Sequence, residues 1–244
     1  MSKGLLILEA LAASPKPLGI TELATLLAMN KSNVHRLVST LRKMDYVVQD
    51  PDRTYRASLK LWRLGHALMS HQRIAELCAP AMHGLLAATG ETVHLSVLDG
   101  ARVIQIDKVD GGQALRTYTE QGESAELHRT ASGKVLLAYN YDRLRPVAVQ
   151  ALTVHTARTI ADAASLDAEV AQILRLGYAR HLGEYLPDVA AVAAPVADAR
   201  GAVIAAITVS GPAQRLTRQR IKDLAPVVVA AGRAASEALG APAV

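Results

Sequence analysis

Residues 20–44, ITELATLLAMNKSNVHRLVSTLRKM, constrain this chain more than any other stretch. In the second half Val34, Leu37, Val38, Leu41 and Met44 recur at three- and four-residue spacing, which predicts a helix that buries one apolar stripe. The other face carries Lys31, Ser32, Asn33, His35, Arg36, Ser39, Thr40, Arg42 and Lys43, with no carboxylate among them. A face that only had to be soluble would mix both signs of charge. In the first half Thr21 is the expected N-cap of a helix over 22–28, with Glu22 in the first turn where negative charge is favoured. Ile20, Leu23 and Leu27 give that helix an apolar face, and Ala24 is small enough for two helices to cross closely. Ala28 holds the turn, where many helix-turn-helix sequences have Gly, and Asn30 or Ser32 can cap the helix that follows. The segment is a helix-turn-helix candidate, with an ordinary helical hairpin as the competing reading.

The flanking sequence separates the two. Runs 46–49 and 54–57 are β-prone and enclose Asp50-Pro51-Asp52-Arg53, a hairpin pattern. A hairpin directly after such a helix is the wing of a winged helix-turn-helix, and Arg53 and Arg56 could reach phosphates or the minor groove. Upstream, residues 4–13 with Leu5, Leu6, Leu8 and Leu11 predict a first helix that closes a three-helix core and stops at Ser14-Pro15. Residues 1–60 hold 9 of the 27 Lys and Arg but only 5 of the 22 Asp and Glu, so nearly all of the net +5 charge sits in the first quarter. That is the footprint of one end meeting double-stranded DNA, and it implies salt-dependent binding.

Other classes are disfavoured. No run approaches the ~18 apolar residues of a membrane span, and no secretory signal pattern opens the chain, so no membrane partner is expected. The single Cys78 cannot form an internal disulfide, which fits a cytoplasmic protein. Phe is absent and aromatics are 3%, which argues against a stacking surface for single strands.

The remainder reads as a second domain. Residues 58–90 are helical in pattern, with Gly65 and Pro80 as possible bends, and Gly90 ends them. Strand-like runs at 92–98 and 103–109 flank Asp99-Gly100; helices are expected near 132–151 and 165–177. Two further strands, 189–197 and 202–209, precede a last helix over about 217–239. This order predicts an α+β domain around an antiparallel sheet. The reading divides the chain into a winged helix-turn-helix over 1–58, a helical linker over 59–76 and a ligand-binding domain over 77–244.

With KSNVHRLVSTL in the reader, GETVHLSVLDG at 90–100, LHRTASGKVLLA at 127–138 and AAPVADARGAVIAAITVSGP at 193–212, the chain resembles the IclR-type transcriptional regulators over nearly its whole length. Asp45 stands where that family commonly has Gly, and the segment before the first helix is short, so no DNA contacts are expected from an arm there. The resemblance implies a C-terminal sensing domain of GAF-like fold and a homodimer or dimer of dimers on a near-palindromic operator. It also implies that Ala131, Ser132, Gly133, Val189, Ala191, Thr208 and Ser210 match positions lining an effector pocket; Ala191 replaces a larger or thiol side chain in some relatives.

Thr130 or Ser132 can cap a helix beginning near Gly133, which would aim free N–H groups and the positive end of the helix dipole at one spot, suited to a carboxylate. Thr208 and Ser210 project to one face of their strand, and His128 lies near enough to contact a small organic acid or to serve a structural hydrogen bond. Ser132-Gly133-Lys134 is not a P-loop, because the earlier Gly and the following Ser/Thr of that motif are absent. No nucleophile elbow occurs, and His66 and His71 are five residues apart, off a shared helix face, so no metal, cofactor or catalysis is expected. The alternative is a small-molecule enzyme or binding protein whose N-terminal domain serves only for dimerisation. The acid-free helix face weighs against it.

Overall fold

The computed structural model describes residues 2–67, 70–112, 122 and 124–242 and divides the chain into two compact units, 1–69 and 70–244. The first unit holds α1 (Ser2–Ala13), α2 (Ile20–Leu26), α3 (Lys31–Lys43), the strands β1 (Val47–Gln49) and β2 (Tyr55–Ala57), and α4 (Leu59–Ala67). Val34 and Val38 of α3 pack with Ile7, Leu8 and Leu11 of α1 and with Leu23 and Ala24 of α2, each under a tenth exposed. The stripe expected on α1 is rotated: Ile7 takes the inner position, while Leu5 and Leu6 are 56% and 46% exposed. β1 and β2 pair antiparallel, and Leu18 adds a bridge to Tyr55 that ties the wing to the approach of α2.

The caps follow the sequence only in part. The N-cap of α2 is Gly19, not Thr21, and the Glu22 carboxylate reaches back to accept the Gly19 N–H at 2.7 Å. Thr21 is an exposed residue of the first turn, and its carbonyl accepts from the Thr25 hydroxyl. Asn30 caps α3, its Oδ1 accepting from the backbone N–H and the hydroxyl of Ser32. Ala28 and Asp45 have φ of 50° and 59°, the left-handed region that costs a residue with a Cβ about 1–2 kcal/mol. Glycine is the usual solution for that backbone, and Arg53 in the wing is a third described position where the sequence departs from it.

The second unit begins with α5 (Ser70–Thr89), so the stretch 59–76 is shared, α4 lying in the first unit and α5 in the second. A six-stranded antiparallel sheet follows, in the order β5-β4-β3-β8-β7-β6. Its strands are β3 (Thr92–Asp99), β4 (Arg102–Val109), β5 (Ser124–Glu126), β6 (Ala179–Leu182), β7 (Val189–Ala197) and β8 (Val203–Pro212). Strand alternation sorts the core. Val93, Leu95, Val192, Ala194, Ile207 and Val209 pack with Met82 and Leu85 of α5 and with α9 (Arg218–Ala238). Gly232 lets α9 lie close to β7: a Cβ there would meet the Pro195 carbonyl at 2.7 Å.

The opposite face carries α6 (Ala131–Tyr139), α7 (Tyr141–Gln150) and α8 (Ala163–Leu176), with a 3-10 turn at Leu127–Arg129 entering α6. The single helix expected over 132–151 is two. Asn140 leaves helical geometry and its side-chain amide donates to the carbonyls of Leu136 and Val203, which ends one helix and starts the next. Strands β5 and β6 had no counterpart in the sequence reading. Among the described residues no helix is long and apolar enough to cross a membrane.

Candidate functional site

In the first unit, α3 presents Lys31, Ser32, Asn33, His35, Arg36 and Thr40 as exposed side chains, while Ser39 is half-buried. Asn33, Arg36 and Thr40 fall within one narrow sector of the helix, opposite Val34 and Val38. Thr40 spends its hydroxyl on the Arg36 carbonyl. Arg42 is held by the Gln49 side chain of β1, and Arg56 is paired with Asp50 at 3.1 Å within the wing. Arg53 stands at the wing tip with φ of 66°. The exposed, acid-free face is therefore assembled on one helix and flanked by a wing that carries Arg53 and Arg56 beside Asp50 and Asp52.

In the second unit a cavity of about 350 Å³ lies between the sheet and the start of α6. Its wall includes Ala131, Ser132, Val189, Ala191, Thr208 and Ser210, residues from three distant segments brought together by the sheet order. Register explains the meeting: Thr208 pairs with His94 on one side and Ala193 on the other, and Ser210 pairs with Thr92 and Ala191. Thr130 caps α6, its Oγ1 accepting the Gly133 N–H at 3.0 Å. That leaves the N–H groups of Ala131 and Ser132, which have no carbonyl four residues back within the helix, at the cavity end of the dipole.

Two of the expected residues are elsewhere. Gly133 is not in the wall: a Cβ on it would meet the Leu127 carbonyl at 2.5 Å, so it serves the close packing of the 3-10 turn on α6. His128 is also absent from the wall, its Nε2 bonded at 3.0 Å to the Thr153 carbonyl.

Sequence reasoning missed His94, Ser96, Gln105, His181 and Tyr185, which also line the cavity. A signal was available for two of them. In β3 every residue from Thr92 to Val97 is buried, so His94 and Ser96, on one parity with Thr92, are polar groups inside a core strand. His94 Nε2 lies 2.6 Å from Ser210 Oγ, and His181 Nε2 accepts the Tyr185 N–H at 2.9 Å. Burial pushes both imidazoles down to about 4, helped by the charge of Lys108 at His94 and of Lys134 at His181. Thr208 Oγ1 is buried and has no hydrogen-bond partner among the described residues.

No Lys or Arg is among the described lining residues. Two cations beside the wall are engaged. The buried Lys134 ammonium is held by Glu169 at 2.9 Å and Glu184 at 2.6 Å, and Arg129 stacks on the Tyr185 ring at 3.9 Å. Among the described residues no cluster of His, Cys, Asp or Glu could hold a metal ion.

A winged reader on one unit and a cavity lined by hydroxyls, imidazoles and apolar side chains on another define a ligand-responsive DNA-binding regulator. Residues 1–51 match the IclR helix-turn-helix domain and residues 66–237 match the bacterial transcriptional regulator IclR C-terminal domain, and the chain belongs to the IclR family. It is 32% identical to the HTH-type transcriptional regulator XynR of Escherichia coli, with 100% of this chain and 98% of that protein covered. It is 33% identical to the HTH-type transcriptional regulator KdgR of Dickeya chrysanthemi, with 96% and 77% covered. Among solved structures, the Thermotoga maritima IclR superposes with a TM-score of 0.79 at 27% identity, with 98% of each chain covered. An IclR homologue from Microbacterium hydrocarbonoxydans, solved with 4-hydroxybenzoate, shares the fold with a TM-score of 0.81 at 20% identity and 98% of each chain covered. The protein is thus a transcriptional regulator with a DNA-binding N-terminal domain and an effector-binding C-terminal domain.

Proposed function

We propose that the effector is a small organic acid, seated in the α6 cavity with its carboxylate toward the Ala131 and Ser132 N–H groups and its other end among Thr208, Ser210, Val189 and Ala191. The observation that carries this is Thr208 Oγ1, a buried hydroxyl with no hydrogen-bond partner among the described residues, facing a cavity at a helix N-terminus. An unmade hydrogen bond of this kind costs about 1–3 kcal/mol, which a bound acceptor would recover. The acid found with the homologue from Microbacterium hydrocarbonoxydans is in keeping with that chemistry.

Thr208→Val separates binding from folding. It removes a hydroxyl that the protein itself does not use, so the ligand-free protein should be as stable as before or about 1 kcal/mol more stable. Affinity for a bound acid should fall by about tenfold or more, read by calorimetry with pyruvate, gluconate and 4-hydroxybenzoate. Unchanged affinity in the variant would place the acid elsewhere. Failure of every carboxylate to stabilise the wild-type protein or alter its hold on operator DNA would remove the acid reading itself.

On the DNA side, the reading is that α3 enters the major groove with Asn33 and Arg36 toward base edges, while Lys31, Ser32, His35, Ser39 and Thr40 line the approach. Thr21, Arg42, Arg53 and Arg56 flank it toward phosphates. A single winged domain covers a short half-site, so a homodimer or dimer of dimers on a near-palindromic operator in the cytoplasm follows. Leu5 and Leu6 of α1 and Leu59 and Trp62 of α4, between 46% and 77% exposed, support a self-association surface. Light scattering at micromolar concentration should give at least a dimer; a strict monomer with and without DNA would overturn this part.

A further inference from the structure

The cavity poses an electrostatic problem for an anion. Among the described residues its wall has hydroxyls, an amide and two imidazoles but no cation, and burying a carboxylate without a counter-charge is costly. The dipole of α6 offers about half a charge at its N-terminus. Among the described residues, three cations around the cavity are matched within the protein. On β4 and just beyond it, Lys108 pairs with Asp110 at 3.1 Å. Lys134 of α6 is held by Glu169 of α8 and Glu184 after β6, and Arg215 after β8 grips Glu91 before β3 at 2.6 Å. Among the described residues that line the cavity, the imidazoles are the groups left to become positive.

Hydrogen bonding distinguishes the two. His181 accepts the Tyr185 N–H through Nε2, so its ring proton sits on Nδ1. A second proton would have to displace that backbone donor, and Lys134 nearby opposes it further. His94 has no such lock. Its Nε2 faces the Ser210 hydroxyl, which can rotate to accept. Its Nδ1 has no hydrogen-bond partner within normal distance among the described residues, and the neighbouring Gln105 amide favours the charged ring and can turn its oxygen toward it. Both N–H groups of a charged His94 would therefore find acceptors inside the protein.

We propose that a carboxylate effector enters together with one proton, which solvent delivers to His94, so that an imidazolium whose N–H groups are held by Ser210 and Gln105 is buried in the same cavity as the carboxylate and offsets its charge. The proposal rests on the acid-binding reading above. The effector is taken up as the anion, one proton leaves solvent, and the cavity gains no net charge. Acidification then tightens effector binding, and the regulator reads acid concentration and pH jointly.

The test is calorimetric titration of the full-length protein with pyruvate, gluconate and 4-hydroxybenzoate. Each is measured in phosphate and in Tris, whose ionisation heats differ, at about pH 6.5, near the unperturbed histidine range. The proposal expects uptake approaching one proton per acid bound, and a Kd that weakens by up to about tenfold per pH unit as pH rises. His94→Gln keeps an amide beside Ser210 but cannot titrate, so uptake should fall to zero and the Kd become flat with pH. Binding with no proton uptake in the wild-type protein overturns the proposal and leaves the acid site standing. Uptake that survives His94→Gln unchanged also overturns it, by assigning the proton to another group. Absence of binding by all three acids overturns both readings at once.

Discussion

Replacing Lys134 by Met is expected to lower the stability of the C-terminal unit by about 3–5 kcal/mol, the usual loss when one partner of a buried ion pair is removed. The Lys134 side chain is 2% exposed, and Glu169 and Glu184 converge on it at 20% and 13%. Met fills the space but leaves two carboxylates facing each other. Glu184 is already raised by burial, with Lys134 opposing that rise and Glu169 adding to it. Without the ammonium it must rise further. A carboxyl whose folded pKa lies above its unfolded value stabilises the fold below the unfolded pKa, and that contribution is lost as pH rises through the folded pKa. The deficit of Lys134→Met should therefore be smallest at about pH 5 and largest at about pH 8, as read by thermal unfolding. Adding Glu184→Gln should recover part of it at the higher pH. A loss under about 1 kcal/mol, or one that does not change with pH, would show that the three charges are not coupled through burial.

The same triad has a consequence for the cavity. Glu184 is followed directly by Tyr185 and Leu186, both of which line the wall, so the ion cluster fixes the segment that closes one side. Outside that wall, Arg129 stacks on the Tyr185 ring and His155 meets it edge-on at 5.3 Å. These cations hold the wall in place, and the described interior keeps neutral donors.

The sequence made some of this legible and not the rest, for physical reasons. The reader was legible because Val34, Leu37, Val38 and Leu41 repeat with the helical period, and because period and charge pattern coincide on one helix. Thr21 was read as a cap because its residue type favours that position; Gly19 takes it because the Glu22 carboxylate supplies the acceptor from within the helix. In the second unit β3, β4, β7 and β8 were visible as alternating or continuous apolar runs. β5 has three residues and β6 is ARHL, an edge strand with a charged and a titratable side chain, so neither carried a pattern. Thr208, Ser210, Ala191, Ala131 and Ser132 were named through family resemblance. His94 and His181 were not, because their place depends on strand order and register: His94 meets Ser210 across 116 residues of sequence. Local periodicity holds no information about such pairing. His128 was placed near the cavity by sequence proximity to Ala131, and the 3-10 turn carries its side chain to Thr153 instead.

Simultaneous Asn33→Ala and Arg36→Ala should cost specific operator binding about 2–6 kcal/mol, taking each lost base contact at about 1–3 kcal/mol and adding them. Both are exposed and lie in the N-terminal half of α3, the part of a recognition helix that meets base edges. Neither belongs to the core of the first unit, so thermal stability should stay within about 0.5 kcal/mol of the wild type. Arg53 at the wing tip is the contrasting case. Its removal should weaken binding to all DNA sequences alike and reduce the salt dependence by about one counterion, the mark of a phosphate contact. Fluorescence anisotropy on operator and scrambled duplexes at several salt concentrations distinguishes the two behaviours. If the double substitution weakened both duplexes equally, α3 would be a backbone anchor and not the sequence reader. If it left operator affinity unchanged, the acid-free face would be a solubility feature and recognition would reside elsewhere in the unit.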